Sequence, residues 1–190
     1  QTMELSEERF SLYQASLQRM LENQLKNKPY ERSLAELRQW LYDPSFSEQE
    51  LLQELAAISR ADVLDFGKRF AQNISVQIYV HGNRSKEQAL NLAAMVQNHM
   101  QASATPIAQP AIVQAPQGEH QLNLKLDHKD NAFLLYVQAN NNSDNARARF
   151  SLLGQILSAP YYHRLRTEEQ LGYIVFATQY PQQTVPSLVF

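Results

Sequence analysis

Cysteine is absent from this sequence of 190 residues. Without thiols the chain can form neither a disulfide framework nor a thiolate metal site. Charge of one sign is also lacking, because the formal net charge is only −2 and no basic run occurs. This balance excludes the electrostatic footprint of a nucleic-acid-binding protein. No segment approaches the roughly 20 consecutive apolar residues that cross a bilayer, so we expect no membrane partner.

Both ends of the chain lack the features of a complete polypeptide. Position one is Gln1 rather than a methionine, and the first residues carry no charged-then-apolar signal pattern. The last four residues, 187–190, form an apolar run without a turn or cap. We therefore expect a fragment of a longer protein, and an unpaired strand at this end would predict concentration-dependent association.

The first hundred residues are dominated by helical patterns. An apolar fraction of 44% and this length allow one full domain or two partial ones. Ser6 and Ser47 are suitable N-caps, and Glu50 completes a capping-box spelling after Ser47. The predicted helices cover residues 6–26, about 34–41, 47–58, a short segment after Ser59, and 85–100. One alternating, β-branched segment, Ile74 to Val80, predicts a strand before the last of these helices.

A proline-containing segment divides the chain. Residues 103–118 have three prolines and little periodicity, which is typical of an extended linker. Beyond it, alternation predicts two strands of an antiparallel hairpin, at 121–127 and 133–139, and then a helix through Leu157 capped by Ser143 or Asp144. The predicted fold class is α+β, with residues 1–102 as the later part of one domain and 119–190 as the first part of a second, truncated one.

The most informative stretch runs from Pro160 to Tyr180. Pro160 suits the first position of a helix, and Gly172 suits the residue after its end. Helical spacing places Tyr162, Arg166 and Glu169 on one face. After Gly172 the period changes to two, which predicts a strand over residues 173–178.

The spelling LRTEEQLGY, at residues 165–173, closely resembles a segment of the pitrilysin and insulin-degrading-enzyme family of zinc endopeptidases, in their non-catalytic C-terminal half. The resemblance implies that Arg166 and Tyr173 reach across an internal chamber and hydrogen-bond the backbone of a peptide substrate near the scissile bond. It also implies that Tyr162 helps to line a pocket for the substrate side chain just after the cut.

Chemistry alone favours plainer interpretations of these residues. Arg166 could form a surface ion pair with Glu169, worth a few tenths of a kcal/mol. Tyr173 could be a half-buried packing residue with its hydroxyl in water, and Tyr162 could pack within its helix. His163 and Arg164 are expected to be solvated or to pack along the helix. It is the resemblance that favours substrate contact.

The zinc-binding motif of that family, HxxEH on a helix, does not occur here. The five histidines lack its spacing, and the nearest spelling, PQGEH at 116–120, has proline in place of the first ligand. We therefore expect no metal site and no catalytic residue in this chain. By the resemblance, zinc would be bound outside it, by the N-terminal catalytic half of the same polypeptide.

The resulting hypothesis is the substrate-binding, non-catalytic portion of a periplasmic zinc metalloendopeptidase that degrades small polypeptides in a closed chamber. The chain alone should be inactive. An alternative is a structural or docking subunit with the same fold whose parent has lost the metal motif. A freestanding peptide-binding module is a third possibility, disfavoured by the abrupt C-terminal strand.

Overall fold

The structure, a computed structural model, describes residues 4–72, 74, 76–100 and 110–190. Helices and short strands are both present, which confirms a mixed α and β fold. The α-helices are α1 Glu7–Leu25, α2 Pro29–Leu41, α3 Glu48–Ala57, α4 Arg60–Gln72, α5 Lys86–Met100 and α6 Asp144–Tyr162, and a π-helix, His163–Glu168, follows α6 directly. The strands are β1 Tyr42–Asp43, β2 Ala111–Ile112, β3 Tyr136–Gln138, β4 Thr178–Gln179 and β5 Ser187–Val189. No helix of the described part is long and apolar enough to cross a membrane.

The chain forms two compact units. Unit 1 comprises Gln1–Leu21 and Gln49–Gln109, and unit 2 comprises Glu22–Glu48 and Pro110–Phe190. The predicted first domain, 1–102, contains residues 22–48, whereas compactness groups those residues with the C-terminal part. Compactness alone does not define a folding domain, so the predicted boundaries stay a prediction. Residues 103–109 of the predicted linker lie outside the described residues, and its remainder contains β2.

Unit 1 consists of helices with polar connections. Ser6 caps α1 by accepting a hydrogen bond from the backbone N–H of Arg9 at 3.2 Å, as expected. The side-chain amide of Gln14 donates to the Leu55 carbonyl at 2.9 Å, which joins α1 to α3. The Arg60 guanidinium at the start of α4 contacts the Glu7 carboxylate at 2.8 Å, so the first and fourth helices are also tied.

Two of the predicted strands are wrong. Residues 74 and 76–80 form no strand, although Ile74 is buried and Tyr79 is 87% exposed, as alternation requires; Ser75 lies outside the described residues. Residues 121–127 also form no strand. A strand is completed by hydrogen bonds to a partner, and neither segment has a partner strand within the described ranges. Alternation therefore predicted the faces only in part, since Ile78 and Leu122 are exposed, and it did not predict the pairing.

The core of unit 2 is a three-stranded antiparallel sheet in the order β3-β5-β4. Val189 in the central strand lies opposite Tyr136 on one side and Thr178 on the other. Leu188 and Val189 are buried. Because β5 is paired on both sides, the association expected from an unpaired C-terminal strand has no basis here.

Helix α6 packs closely on this sheet at a glycine. A Cβ atom added to Gly154 would lie 2.9 Å from Cγ of Gln179 and 3.2 Å from Cδ2 of Leu188. The helix begins at Ser143, whose hydroxyl accepts from the Ala146 N–H at 3.2 Å, so Ser143 is the cap among the two predicted candidates. This contact fixes the helix that leads into Tyr162 and Arg166.

Helix α2 is anchored by a buried ion pair. Nη1 of Arg32 lies 3.0 Å from Oε2 of Glu48, and the two side chains are 8% and 14% exposed. The approach is poorly aligned for a hydrogen bond, and Nε and Nη1 of Arg32 have no hydrogen-bond partner among the described residues. Burial alone would raise the pKa of Glu48, but contact with Arg32, its own backbone N–H and Gln39 together lower the pKa below its ordinary value of 4.5.

Candidate functional site

The helix that carries the candidate residues does not begin at Pro160, as predicted. Helix α6 passes through Pro160 to Tyr162 and continues as the π-helix to Glu168. Proline has no N–H to donate, but its fixed φ is helical, so a helix already formed can continue through it. Beyond it the His163 N–H contacts two carbonyls, those of Ala159 and Pro160. The wider π-helical bonding follows, with i→i+5 hydrogen bonds in place of i→i+4.

The turn after this helix is made at Gln170, not at Gly172. Gln170 has a left-handed φ of 54°, whereas Gly172 is absent from the positive-φ residues of the described chain. The Leu171 N–H donates to the Leu165 carbonyl at 3.0 Å and closes the turn. A strand directly after Gly172 was also predicted, but β4 begins only at Thr178. Tyr173 therefore lies on an irregular segment between the π-helix and the sheet.

Arg164 forms ion pairs with both acidic residues at the end of the π-helix. Its guanidinium lies 2.6 Å from Glu168 and 2.8 Å from Glu169. His163 lies 3.3 Å from the same Glu168. The simple surface pair of Arg166 with Glu169 is not formed, and Glu169 pairs with Arg164 instead.

Arg166 has no hydrogen bond or ion pair with any residue that the structure describes, and its side chain is half-buried. Tyr162 is 48% exposed and Tyr173 is 69% exposed. Tyr161, beside Tyr162, instead packs its ring 5.3 Å from the ring of Phe190. The three predicted site residues thus keep polar groups accessible, but no hydrogen bond joins them within the described chain.

A further tyrosine, Tyr30 of α2, belongs to the same compact unit as Tyr173. Its hydroxyl donates to Oε1 of Glu31 at 3.0 Å. The hydrogen bond to Glu31, partial burial, the Glu31 charge and the Tyr173 phenol together raise the pKa of Tyr30 above 10.0.

The described residues do not fit a catalytic zinc ion. No group of three or more His, Asp or Glu side chains that could hold a metal occurs among them. Residues 116–120 are not helical, and Nε2 of His120 lies 3.2 Å from the Pro116 carbonyl oxygen.

A comparison with known protein families identifies the family of this chain. The family model of the peptidase M16 inactive domain matches residues 57–188. The chain belongs to the peptidase M16 inactive-domain family. This M16 match includes the π-helix and Tyr173, but it begins beyond α2.

Individual relatives agree with this assignment. Insulin-degrading enzyme of Drosophila melanogaster is 31% identical over 183 residues, which cover 91% of this chain and 18% of that protein. Protease 3 of Escherichia coli K12 is 29% identical over 160 residues, covering 83% of this chain and 17% of the relative. The M16 chain thus spans less than a fifth of the length of these relatives.

The crystal structure of pitrilysin has the same fold. It superimposes with a TM-score of 0.70 and 23% identity, covering 98% of this chain and 20% of pitrilysin. This likeness extends to α1 and α2, which the family model does not reach. It confirms the expected resemblance at the level of the fold.

Proposed function

We propose that this M16 chain is the substrate-positioning, non-catalytic portion of a zinc metalloendopeptidase that degrades small polypeptides in a closed chamber. The support is its membership of an M16 domain described as inactive, together with relatives named as a protease and as an insulin-degrading enzyme. The zinc, the glutamate base and the attacking water would come from the N-terminal half of the same polypeptide. A periplasmic location is part of the proposal, motivated by the bacterial protease 3 relative.

The observation that carries the proposal is the state of Arg166. A half-buried guanidinium without a partner among the described residues carries five unused N–H donors. The neighbouring acids would neutralise it, but Arg164 holds both. Arg166 is therefore available to donate to a carbonyl oxygen of a bound peptide.

Tyr173 complements this role. Its phenol is mostly exposed and can donate one hydrogen bond to a peptide carbonyl. Two donors to the peptide backbone would fix its orientation without selecting for side-chain identity, which suits an enzyme that accepts varied peptides. Donors that strengthen as a carbonyl becomes tetrahedral would also stabilise the transition state. Tyr162 would add an apolar wall for one substrate side chain.

The experiment uses the full-length protein that carries this chain, with insulin B chain and a quenched fluorescent peptide as substrates. Arg166→Ala and Tyr173→Phe should each lower kcat/KM by the equivalent of about 1–3 kcal/mol, because each removes a transition-state donor. Zinc content should stay unchanged. Arg147→Ala and Tyr13→Phe are matched controls, since both side chains are exposed and neither residue belongs to the π-helix or to the turn after it.

Wild-type turnover in both variants would reject the positioning role. An independent check is the coding sequence upstream of Gln1. An HxxEH motif there on a helical pattern supports the peptidase, whereas its absence favours the docking or structural subunit.

A further inference from the structure

The π-helix carries ion pairs between residues that are five positions apart. Nε of Arg164 lies 2.8 Å from Oε1 of Glu169, and Nε2 of His163 lies 3.3 Å from Oε1 of Glu168. The backbone has the same spacing, because the Glu169 N–H donates to the Arg164 carbonyl at 3.0 Å. Side chains and backbone therefore favour the same register, which is the π-helical one.

An α-helical register would arrange the same side chains differently. At about 100° per residue, positions five apart point about 140° away from each other, so Arg164 would face away from Glu169. Positions three apart are neighbours on an α-helix, so Glu169 would lie beside Arg166 and could pair with it. The register of this short segment thus determines which of the two arginines Glu169 contacts.

Arg164 holds its two acids with separate nitrogens. Nη1 lies 2.6 Å from Oε2 of Glu168, while Nε lies 2.8 Å from Glu169. A guanidinium has five N–H donors, so it can bind two carboxylates at once. Arg166 is half-buried and has no hydrogen bond or ion pair within the described ranges. Arg164 therefore occupies the carboxylate that lies three positions beyond Arg166.

We propose that Arg164 is a positioning residue, which holds Glu169 in the π-helical register and so keeps the Arg166 guanidinium free for a peptide carbonyl. Loss of Arg164 would let the segment relax toward the register in which Glu169 neutralises Arg166. Substrate would then have to displace Glu169 before it could bind. The inference rests on the proposed function, and it adds a residue that acts through Arg166 rather than on the substrate.

The first test is Arg164→Ala in the full-length protein with a quenched fluorescent peptide. We expect kcat/KM to fall about 2- to 5-fold, because capture of Arg166 by Glu169 would have the strength of an ordinary surface ion pair. The loss should lie mainly in KM, since saturating peptide displaces Glu169 and restores the competent state. Arg147→Ala removes an arginine of similar exposure, 60% against 65%, and should leave both parameters unchanged.

A second substitution separates positioning from a general effect on folding. Arg164→Ala with Glu169→Gln removes the acid that would capture Arg166, so kcat/KM should return to the wild-type value. Arg164→Ala with Glu168→Gln is the matched control, and it should stay impaired, because residues two apart do not face each other on a helix. Glu169→Gln alone should cleave the peptide like the wild type. Urea unfolding of each variant measures any accompanying loss of stability.

The outcomes are distinguishable. If Arg166→Ala impairs turnover but Arg164→Ala does not, this inference is overturned and the proposed function stands. The same holds if the two glutamate substitutions rescue Arg164→Ala equally, or if neither rescues it. If neither Arg166→Ala nor Tyr173→Phe changes turnover, the proposed function fails and the role of Arg164 fails with it.

Discussion

The two compact units bury their apolar side chains to different extents. In unit 2, Ala177, Leu188 and Val189 are 2%, 4% and 1% exposed. In unit 1, Leu21 and Ile74 are buried, but Phe66 and Leu90 are 59% and 58% exposed. The stacked rings of Phe66 and Phe70, 5.9 Å apart, cover only part of their surface. Apolar content alone therefore does not account for burial in this chain.

The difference follows from the elements that each unit contains. Unit 2 has a sheet on which α6 packs, whereas unit 1 has no strand in its described residues. A helix buries its apolar stripe only against another layer. We therefore expect substitutions in unit 2 to change the free energy of unfolding more than comparable substitutions in unit 1.

The largest effect is expected at the buried pair of Arg32 and Glu48. Glu48→Ala would leave the Arg32 guanidinium buried without a counter-charge, which should cost about 3–5 kcal/mol of unfolding free energy. Urea denaturation followed by circular dichroism measures it. The double variant Arg32→Met with Glu48→Leu should recover most of the loss, because an apolar pair avoids burying a charge.

The control for this change is the exposed pair of unit 1. Arg69 and Asp65 lie 2.9 Å apart with side chains 67% and 65% exposed, so Arg69→Ala should cost at most about 0.5 kcal/mol. Equal losses for Glu48→Ala and Arg69→Ala would contradict the contrast between the units.

The same pair predicts a pH dependence. The folded pKa of Glu48 lies below 4.5, so its contribution to stability is complete above that value and is lost as the pH falls through the folded pKa. Glu48→Gln should flatten the stability curve in this acidic window.

Helices were predictable from the sequence because their hydrogen bonds and caps are local. Ser6 and Ser143 cap the helices expected of them. Strands were less predictable, since their partners are distant in the sequence. Strand β1 pairs with β2, and helices α3 to α5 lie between the two strands in the sequence. The alternation at residues 121–127 indicated a strand, but no register with another segment could be read from it.

The candidate site was also predictable from the sequence only in part. Sequence spacing placed Tyr162 and Arg166 on one helix, and the structure does so. Sequence spacing could not reveal the π-helix, in which Glu169 pairs with Arg164 and not with Arg166.

A second comparison uses one residue type in both units. Leu188→Ala should destabilise the protein by about 2–5 kcal/mol, because the side chain is 4% exposed and packs at Gly154. Leu90→Ala on α5 should cost no more than about 0.5 kcal/mol, since Leu90 is 58% exposed. Thermal and urea unfolding of the two variants measure the difference. A loss at Leu90 as large as that at Leu188 would mean that α5 is covered in solution.

The smallest effect is a local one in unit 1, at the start of α4. The Ser59 hydroxyl and backbone N–H donate to the Asp62 carboxylate at 2.6 and 2.8 Å. These hydrogen bonds, the hydroxyl first, lower the pKa of Asp62 below 3.8 against a small opposing effect of burial. Ser59→Ala removes the hydroxyl and should raise this pKa, whereas Ser59→Thr should keep it low. Carboxyl carbon chemical shifts followed from pH 2 to pH 6 measure both variants.

The direction of the Asp62 pKa shift determines whether its contribution to stability is lost at low or at high pH. The contribution of ionised Asp62 is present above the unfolded pKa and is lost as the pH falls through the folded one. Because Asp62 is exposed, solvent screens the interaction, and the loss should be confined to the first turn of α4. Amide exchange should therefore increase there in Ser59→Ala and stay unchanged in β5. Faster exchange in β5 would mean that the two units do not unfold separately, and the contrast between them would then be one of burial alone.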